Sequence, residues 1–227
     1  MSDETEEQKK LMRQIDISCV QAFHTMDEID AMVELAKKYR LAAVFTLPAF
    51  SAHVAERLQD TREIHAGGVV SFPGGGDTTG QKKRQAKELW EAGCREIDMV
   101  MNLTAFRSHE FSYVKEELLA IREQVPSAIF KVIIEAPQLT EQEICQAVDL
   151  CVEGRADYVK TSTGWYPGCP STVEQVRIMS REAAGRIQIK AAGIRSLETI
   201  QEMQKAGCSR FGMGMRSVQN LIKSIYK

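Results

Sequence analysis

The strongest constraint on this chain is a repeated alternation: short apolar runs, each too brief for a helix, separated by longer stretches with helical periodicity. The runs fall at residues 15–20, 42–47, 68–72, 96–101, 130–135, 158–161, 187–191 and 210–213. Helical patterns occupy residues 26–39, 78–92, 108–124, 140–151, 171–182, 196–206 and 216–226. Several of these open on capping residues, such as Thr140 with Glu143 and Ser171 with Glu174. Strand–helix alternation of this kind implies a parallel sheet, either an open doubly wound one or a closed (β/α)8 TIM barrel. The barrel is the expectation. The first strand is not followed by a dinucleotide-type glycine fingerprint, and polar residues recur at the C-terminal ends of the strands, where barrels place their chemistry. A length of 227 residues suits one such domain. Residues 1–10 read as a polar leader and residues 11–227 as the barrel.

Composition narrows the partners. Lys and Arg number 29 against 31 Asp and Glu, a formal charge of −2, which offers no general pull toward nucleic acid or an anionic membrane. An anionic substrate therefore needs a local site. No apolar run reaches the roughly 20 residues of a membrane span, and the first ten residues lack the basic and apolar regions of a signal sequence. The reading places the chain in the cytoplasm. Six cysteines (19, 94, 145, 151, 169 and 208) form no CxxC pair and read as reduced thiols. The histidines at 24, 53, 65 and 109 lack metal-ligand spacing and read as surface or packing residues.

Three charged residues sit where apolar strand residues are expected. Lys160 ends the run Tyr158-Val159-Lys160 and is followed by Thr161, Ser162 and Thr163. A lysine at that place either snorkels to solvent or stays buried, where a lowered pKa makes its amine a nucleophile toward carbonyls. Lys190 repeats the arrangement on the next strand, and two neighbouring ammonium groups disfavour each other's protonation. Asp98, inside Glu96-Ile97-Asp98-Met99-Val100, is either half of a structural ion pair or a group poised for proton transfer. Lys131 on the fifth strand, with Asp16 and Ser18 on the first, add further polar groups.

Taken in order, Glu96-Ile97-Asp98, Lys131-Val132-Ile133-Ile134-Glu135, Lys160-Thr161-Ser162-Thr163-Gly164 and Lys190-Ala191-Ala192-Gly193-Ile194-Arg195 resemble the motifs of the deoxyribose-phosphate aldolase family. Phe72-Pro73-Gly74-Gly75 resembles that family's third-strand turn, and the likeness runs from about Asp16 to the last strand. The resemblance implies a Schiff base on Lys160, lowering of its pKa by Lys190, and proton transfer involving Asp98. It implies reversible cleavage of 2-deoxyribose 5-phosphate to acetaldehyde and glyceraldehyde 3-phosphate without a metal or cofactor. Asp16, Ser18, Lys131, Thr161 and Thr163 are expected to bind substrate, with Gly193, Gly212 and Gly214 at its phosphate. The expected partners are a small sugar phosphate or aldehyde and a second copy of the chain in a homodimer, not nucleic acid or membrane.

The chain departs from the family pattern at several places. The first strand has Ser18 where a threonine is usual, and the second has Phe45 where a cysteine is usual. Only Gly193 remains of two adjacent glycines after the seventh strand, and Gly212-Met213-Gly214-Met215 replaces a glycine–serine cluster after the eighth. Arg195, Arg216 or Ser217 can supply what the lost groups do not, so altered phosphate recognition is expected. Gly74-Gly75-Gly76-Asp77 lacks the lysine of a P-loop and reads as a barrel loop. Tyr226 has two readings, a tail residue that reaches the site or a packing residue. Two further functions stay in view: a metal-assisted epimerase or aldolase on the same fold, and a non-catalytic sensor of sugar phosphates. The retained lysines and Asp98 argue against the sensor, and scarce strand-end ligands argue against the metal enzyme.

Overall fold

A computed structural model describes residues 5–166 and 168–226. Its strands are β1 (Ile15–Cys19), β2 (Ala43–Thr46), β3 (His65–Val70), β4 (Glu96–Val100), β5 (Ile129–Ile133), β6 (Tyr158–Lys160), β7 (Gln188–Ala192) and β8 (Arg210–Gly214). Each pairs in parallel with the next, and β8 closes on β1, giving the expected (β/α)8 TIM barrel.

The strands are buried on both faces, yet they are not uniformly apolar. Side chains alternate across a strand, and here one set is apolar and the other charged. The outward set includes Ile15, Ile17, Val44, Ile97, Met99, Phe130, Val132, Val159, Ile189, Phe211 and Met213, all in the main core between sheet and helices. Each such side chain stabilises by roughly 1.5–3 kcal/mol when fully buried. The inward set holds Asp16, Glu96, Asp98, Lys131, Lys160, Lys190 and Arg210, with apolar residues that include the small cluster of Ala43, Phe45 and Val69 among them. The hydrophobic core thus lies outside the barrel, and the barrel's interior is a lattice of charges.

The helices are α1 (Glu6–Met12), α2 (Met26–Tyr39), α3 (Ser51–Arg57), α4 (Thr79–Glu91), α5 (Leu103–Arg107) and α6 (Phe111–Gln124). They continue as α7 (Glu141–Glu153), α8 (Val173–Ala183), α9 (Leu197–Lys205) and α10 (Met215–Ile225). The Thr140–Glu143 capping box opens α7 as expected. The box of α8 is instead Thr172 with Gln175, one residue later than the sequence reading, because the Ser171 hydroxyl is engaged elsewhere. The helix expected over residues 108–124 is α6, which starts three residues later at Phe111, because His109 adopts a left-handed conformation at φ 60° in the turn that separates it from the short α5. The polar leader is not separate from the barrel segment: residues 6–12 form one helix across their boundary, capped by Thr5 and Gln8 and anchored by buried Met12. Helix α3 has too few turns for its periodicity to be read.

Strand β3 begins at His65, three residues before the apolar run that marked it, because polar His65 and side-chain-free Gly67 break the apolar signal at its start. Gly67 and Gly68 pack tightly. Their absence of side chain is a packing requirement. A Cβ at Gly67 would lie 2.4 Å from the Phe45 ring, and one at Gly68 would lie 2.8 Å from Leu89. Outside the barrel, Lys82 of α4 donates to Glu117 of α6 at 2.7 Å and to the Val100 carbonyl at 3.1 Å, holding the end of β4. Burial outweighs the pairing for both partners, lowering the Lys82 pKa and raising that of Glu117.

Candidate active site

A cavity of about 390 Å³ opens at the C-terminal ends of the strands. Its floor is set by strand register. Lys160 and Lys190 are direct partners across β6 and β7, and Asp98 pairs with Lys131 across β4 and β5. All four side chains point inward, so their ends meet on the barrel axis.

Asp98 is the centre of that meeting. Its Oδ2 accepts from Lys160 Nζ at 2.8 Å and from Lys190 Nζ at 2.7 Å, while Oδ1 accepts from Lys131 Nζ at 2.9 Å. Lys190 also faces Asp16 Oδ2 at 2.6 Å. Arg210 donates to Asp16 Oδ1 and to Glu96 Oε1, each at 2.6 Å. Glu96 further pairs with Lys131 and, at 2.9 Å, with His65 Nδ1 near the opposite end of the barrel. Asp16 Oδ2 and Glu96 Oε2 have no hydrogen bond of good angle, but each faces a lysine ammonium as an ion pair. Four cations (Lys131, Lys160, Lys190 and Arg210) therefore share three carboxylates in a desolvated interior. Loss of one proton from an amine would balance the set.

The amine that burial disfavours most clearly is Lys190. Desolvation draws its pKa down to about 8, opposed by Asp16 and Asp98 and assisted by Lys131 and Lys160. Burial would raise the Asp98 carboxyl, yet the ammoniums of Lys131, Lys160 and Lys190 together hold it well below the usual carboxylate range. Lys131 goes the opposite way from Lys190. Burial lowers it, but Asp98, Glu96 and Asp16 outweigh burial and keep it protonated. Glu96 is held below its ordinary range, burial being outweighed by Lys131, His65 and Arg210.

The segment after Lys160 is clamped by hydrogen bonds. Thr161 Oγ1 accepts from the Ala192 N–H at 3.1 Å and meets Ser171 Oγ at 2.6 Å. Ser162 Oγ also meets Ser171 Oγ, at 3.0 Å. Glu135 accepts twice from Thr163, from its N–H at 3.0 Å and from its hydroxyl at 2.7 Å. Burial raises the Glu135 pKa, and the Thr163 hydrogen bonds and Lys160 oppose that rise.

Of the residues singled out from sequence, Asp16, Ser18, Asp98, Lys160, Thr163, Lys190, Gly193, Gly212 and Gly214 line the cavity. Lys131 and Thr161 do not. Lys131 is fully buried beneath Asp98, and the Thr161 hydroxyl is taken up by Ser171 and Ala192. Arg216 and Ser217 reach the cavity from the first turn of α10, and Gly193, at φ 76°, lines it too, whereas Arg195 is not among the lining residues. His24 lies at the surface as read from sequence, half-buried on the β1-side rim of the cavity with Gln21, Phe23 and Glu28. Tyr226 packs against Tyr39 with ring centres 5.3 Å apart.

Sequence reasoning missed Glu96, Glu135, Arg210, Ser171 and Phe45 as members of this environment. Glu96 and Arg210 carried a usable signal, since each stands an even number of residues from a chosen inward position on its strand. Ser171 carried none, because its approach depends on how the β6–α8 loop folds back. Among the described residues no group of three or more His, Cys, Asp or Glu is placed to hold a metal ion, and no helix is long and apolar enough to cross a membrane.

Known proteins place this arrangement. A solved structure described as QR15, an aldolase, superposes with a TM-score of 0.89 at 34% identity, covering 98% of this chain and 97% of that one. A tetrameric deoxyribose phosphate aldolase from Aeropyrum pernix superposes with a TM-score of 0.87 at 25% identity, over 96% and 92% of the two chains. The fold and its relatives define an aldolase of the parallel-barrel class, a lyase acting on a small molecule. Residues 2–221 match the sequence profile of the DeoC/LacD family aldolases. A deoxyribose-phosphate aldolase of Klebsiella pneumoniae is 38% identical over 219 residues, 95% of this chain and 88% of that protein. One from Aquifex aeolicus is 39% identical over 199 residues, covering 87% and 89%. The chain belongs to the DeoC/LacD aldolase family.

Proposed function

We propose that the enzyme cleaves 2-deoxy-D-ribose 5-phosphate reversibly to acetaldehyde and D-glyceraldehyde 3-phosphate, through a Schiff base on Lys160. The observation that carries the mechanism is the single oxygen, Asp98 Oδ2, shared by Lys160 at 2.8 Å and Lys190 at 2.7 Å. Lys160 must be neutral to attack. Its proton passes through Asp98 Oδ2 to Lys190, the amine whose proton burial has already loosened. The neutral Lys160 adds to the C1 aldehyde of the open-chain sugar, and the carbinolamine takes up a proton and loses water to give an iminium. The C3 hydroxyl then gives up its proton and the C2–C3 bond breaks, its electron pair moving into the iminium to form an enamine. Glyceraldehyde 3-phosphate departs. Protonation of the enamine at C2 and hydrolysis release acetaldehyde and restore Lys160.

The iminium is the electron sink, so the proposal assigns no cofactor. Ser18, Thr163, Gly193, Gly212 and Gly214 line the cavity and meet substrate, the glycines with Arg216 and Ser217 at the phosphate end. Asp16, Lys131 and Thr161 act through their neighbours: Asp16 on Lys190, Lys131 on Asp98, and Thr161 on the backbone of β7. A homodimer in the cytoplasm is part of the same proposal, and sedimentation of the purified chain checks the assembly.

Borohydride treatment in the presence of acetaldehyde is expected to leave a reduced adduct on the peptide that carries Lys160. An adduct confined to Lys190 would reverse the lysine roles. No adduct with any aldehyde would favour a sensor on the same barrel.

A further inference from the structure

Phe45 stands among the charges of the barrel interior, and nothing in the reaction above uses it. Its ring is almost wholly buried at the base of the cavity. The Lys190 ammonium lies 4.4 Å from the ring centre and the Lys131 ammonium 4.7 Å. Two sides of the Lys190 amine face carboxylates, Asp98 Oδ2 at 2.7 Å and Asp16 Oδ2 at 2.6 Å. The ring takes another side, where water would otherwise solvate the cation. Room for it is made by the neighbouring strand: a Cβ at Gly67 would stand 2.4 Å from Cε1 and Cζ of the ring. An aromatic face attracts a cation through its quadrupole but accepts no proton.

We propose that Phe45 is a positioning residue that stabilises the ammonium form of Lys190 and shuts that amine off from water, so that its proton passes only to Asp98 or Asp16. The inference rests on the proposed part of Lys190 as acceptor of the Lys160 proton. The charged and titratable groups that act on Lys190 are Asp16 from β1, Asp98 from β4, Lys131 from β5 and Lys160 from β6. Arg210 shares Asp16 with it, and the buried Cys208 thiol, just before β8, also feels the amine. Phe45 is uncharged, so replacing it changes the hold on the cation without changing the charge count. The two carboxylates resist the burial that draws Lys190 down, and the ring, 4.4 Å away, adds its quadrupole in the same direction.

The test separates the two effects of the ring. Phe45→Leu keeps an apolar plug but removes the aromatic face, and the titration of Lys190 is expected to fall by about one pH unit, the size of a desolvated cation–π contact. Phe45→Ala opens the amine to cavity water, and the titration is expected to rise. Gly67→Ala pushes the ring off the lysines from a residue that carries no charge, and should shift the titration as Phe45→Leu does. If Gly67→Ala fails to fold, Gly67→Ala with Phe45→Leu relieves the overlap and should titrate like Phe45→Leu alone. The readout is the side-chain nitrogen-15 signal of Lys190 in lysine-labelled protein, assigned by its loss in Lys190→Met, alongside kcat/KM against pH for deoxyribose 5-phosphate. A Lys190 titration unmoved in both Phe45 variants overturns the inference. A titration that moves while the rate profile stays fixed upholds the ring's hold on the amine and refutes Lys190 as the proton acceptor.

Discussion

Asp98→Asn preserves size and removes one charge from the barrel interior, where three ammoniums stand 2.7–2.9 Å from the carboxylate. Four cations would then face two carboxylates. Breaking a buried pair in this way costs about 3–5 kcal/mol, and a domain of this size loses roughly 2–4 °C in Tm per kcal/mol, so the variant should melt roughly 6–20 °C lower at pH 7. That loss depends on pH in a calculable direction. Lys190 titrates at about 8 in the folded protein, against about 10.4 in an unfolded chain. A lysine with a depressed folded pKa destabilises, and the burden eases as pH rises between the two values, because there the unfolded chain holds the extra proton. Without Asp98 the Lys190 pKa falls further, so the variant begins to recover below pH 8 while the parent does not. Between pH 7 and 9 the stability gap should narrow by about 1 kcal/mol. Denaturant unfolding of both proteins at pH 7, 8 and 9 measures it. Turnover should fall by about 10²-fold or more, the scale of lost acid–base catalysis. A gap that does not change with pH would refute the sharing of one proton between these amines and carboxylates, and near-normal turnover would reduce Asp98 to a structural ion.

Lys190→Met removes the amine that burial brings to about 8, so kcat/KM should lose its rise near that pH and its limb should move upward, because Lys160 must shed its proton without Lys190 to receive it; an unmoved limb counts against the assignment. Exhaustive chelation should leave the rate unchanged, since the iminium takes the electrophile's role, and activity restored only by a divalent ion would overturn the lysine mechanism. The kcat/KM for deoxyribose 5-phosphate relative to unphosphorylated deoxyribose should lie well below 10³, because the serine cluster is replaced by Gly214 and Met215; a ratio of roughly 10³, about 4 kcal/mol of differential transition-state binding, would show that the glycines and Arg216 suffice.

Much of the fold was legible because its signal is repetitive. Strand-length apolar runs and capped helices announce parallel β-α units, and the boundaries of β1, β4 and β6 came within a residue of their places. What escaped were elements whose sequence serves packing: Gly67 helps hide the start of β3 because it makes room for Phe45. At the site, Lys160, Lys190 and Asp98 stood out as charges in apolar strands, and all three meet on the barrel axis. The sharing of each charge was not legible. Lys131 resembles Lys190 in sequence, but it lies under Asp98 with three carboxylates around it, whereas Lys190 lies at the cavity with two. That difference is set by position across strands, which no single strand reveals.

The helix at residues 6–12 and the last turn of α10 meet at the barrel's N-terminal end, where the Gln8 side-chain amide donates to the Ile225 carbonyl at 3.2 Å. A five-residue strand at about 3.3 Å per residue separates that end from the cavity by roughly 16 Å. A bead, an electrode or a companion enzyme attached at α1 or at the last turn of α10 would thus hold the barrel with its mouth facing outward, free to exchange volatile aldehyde with the medium.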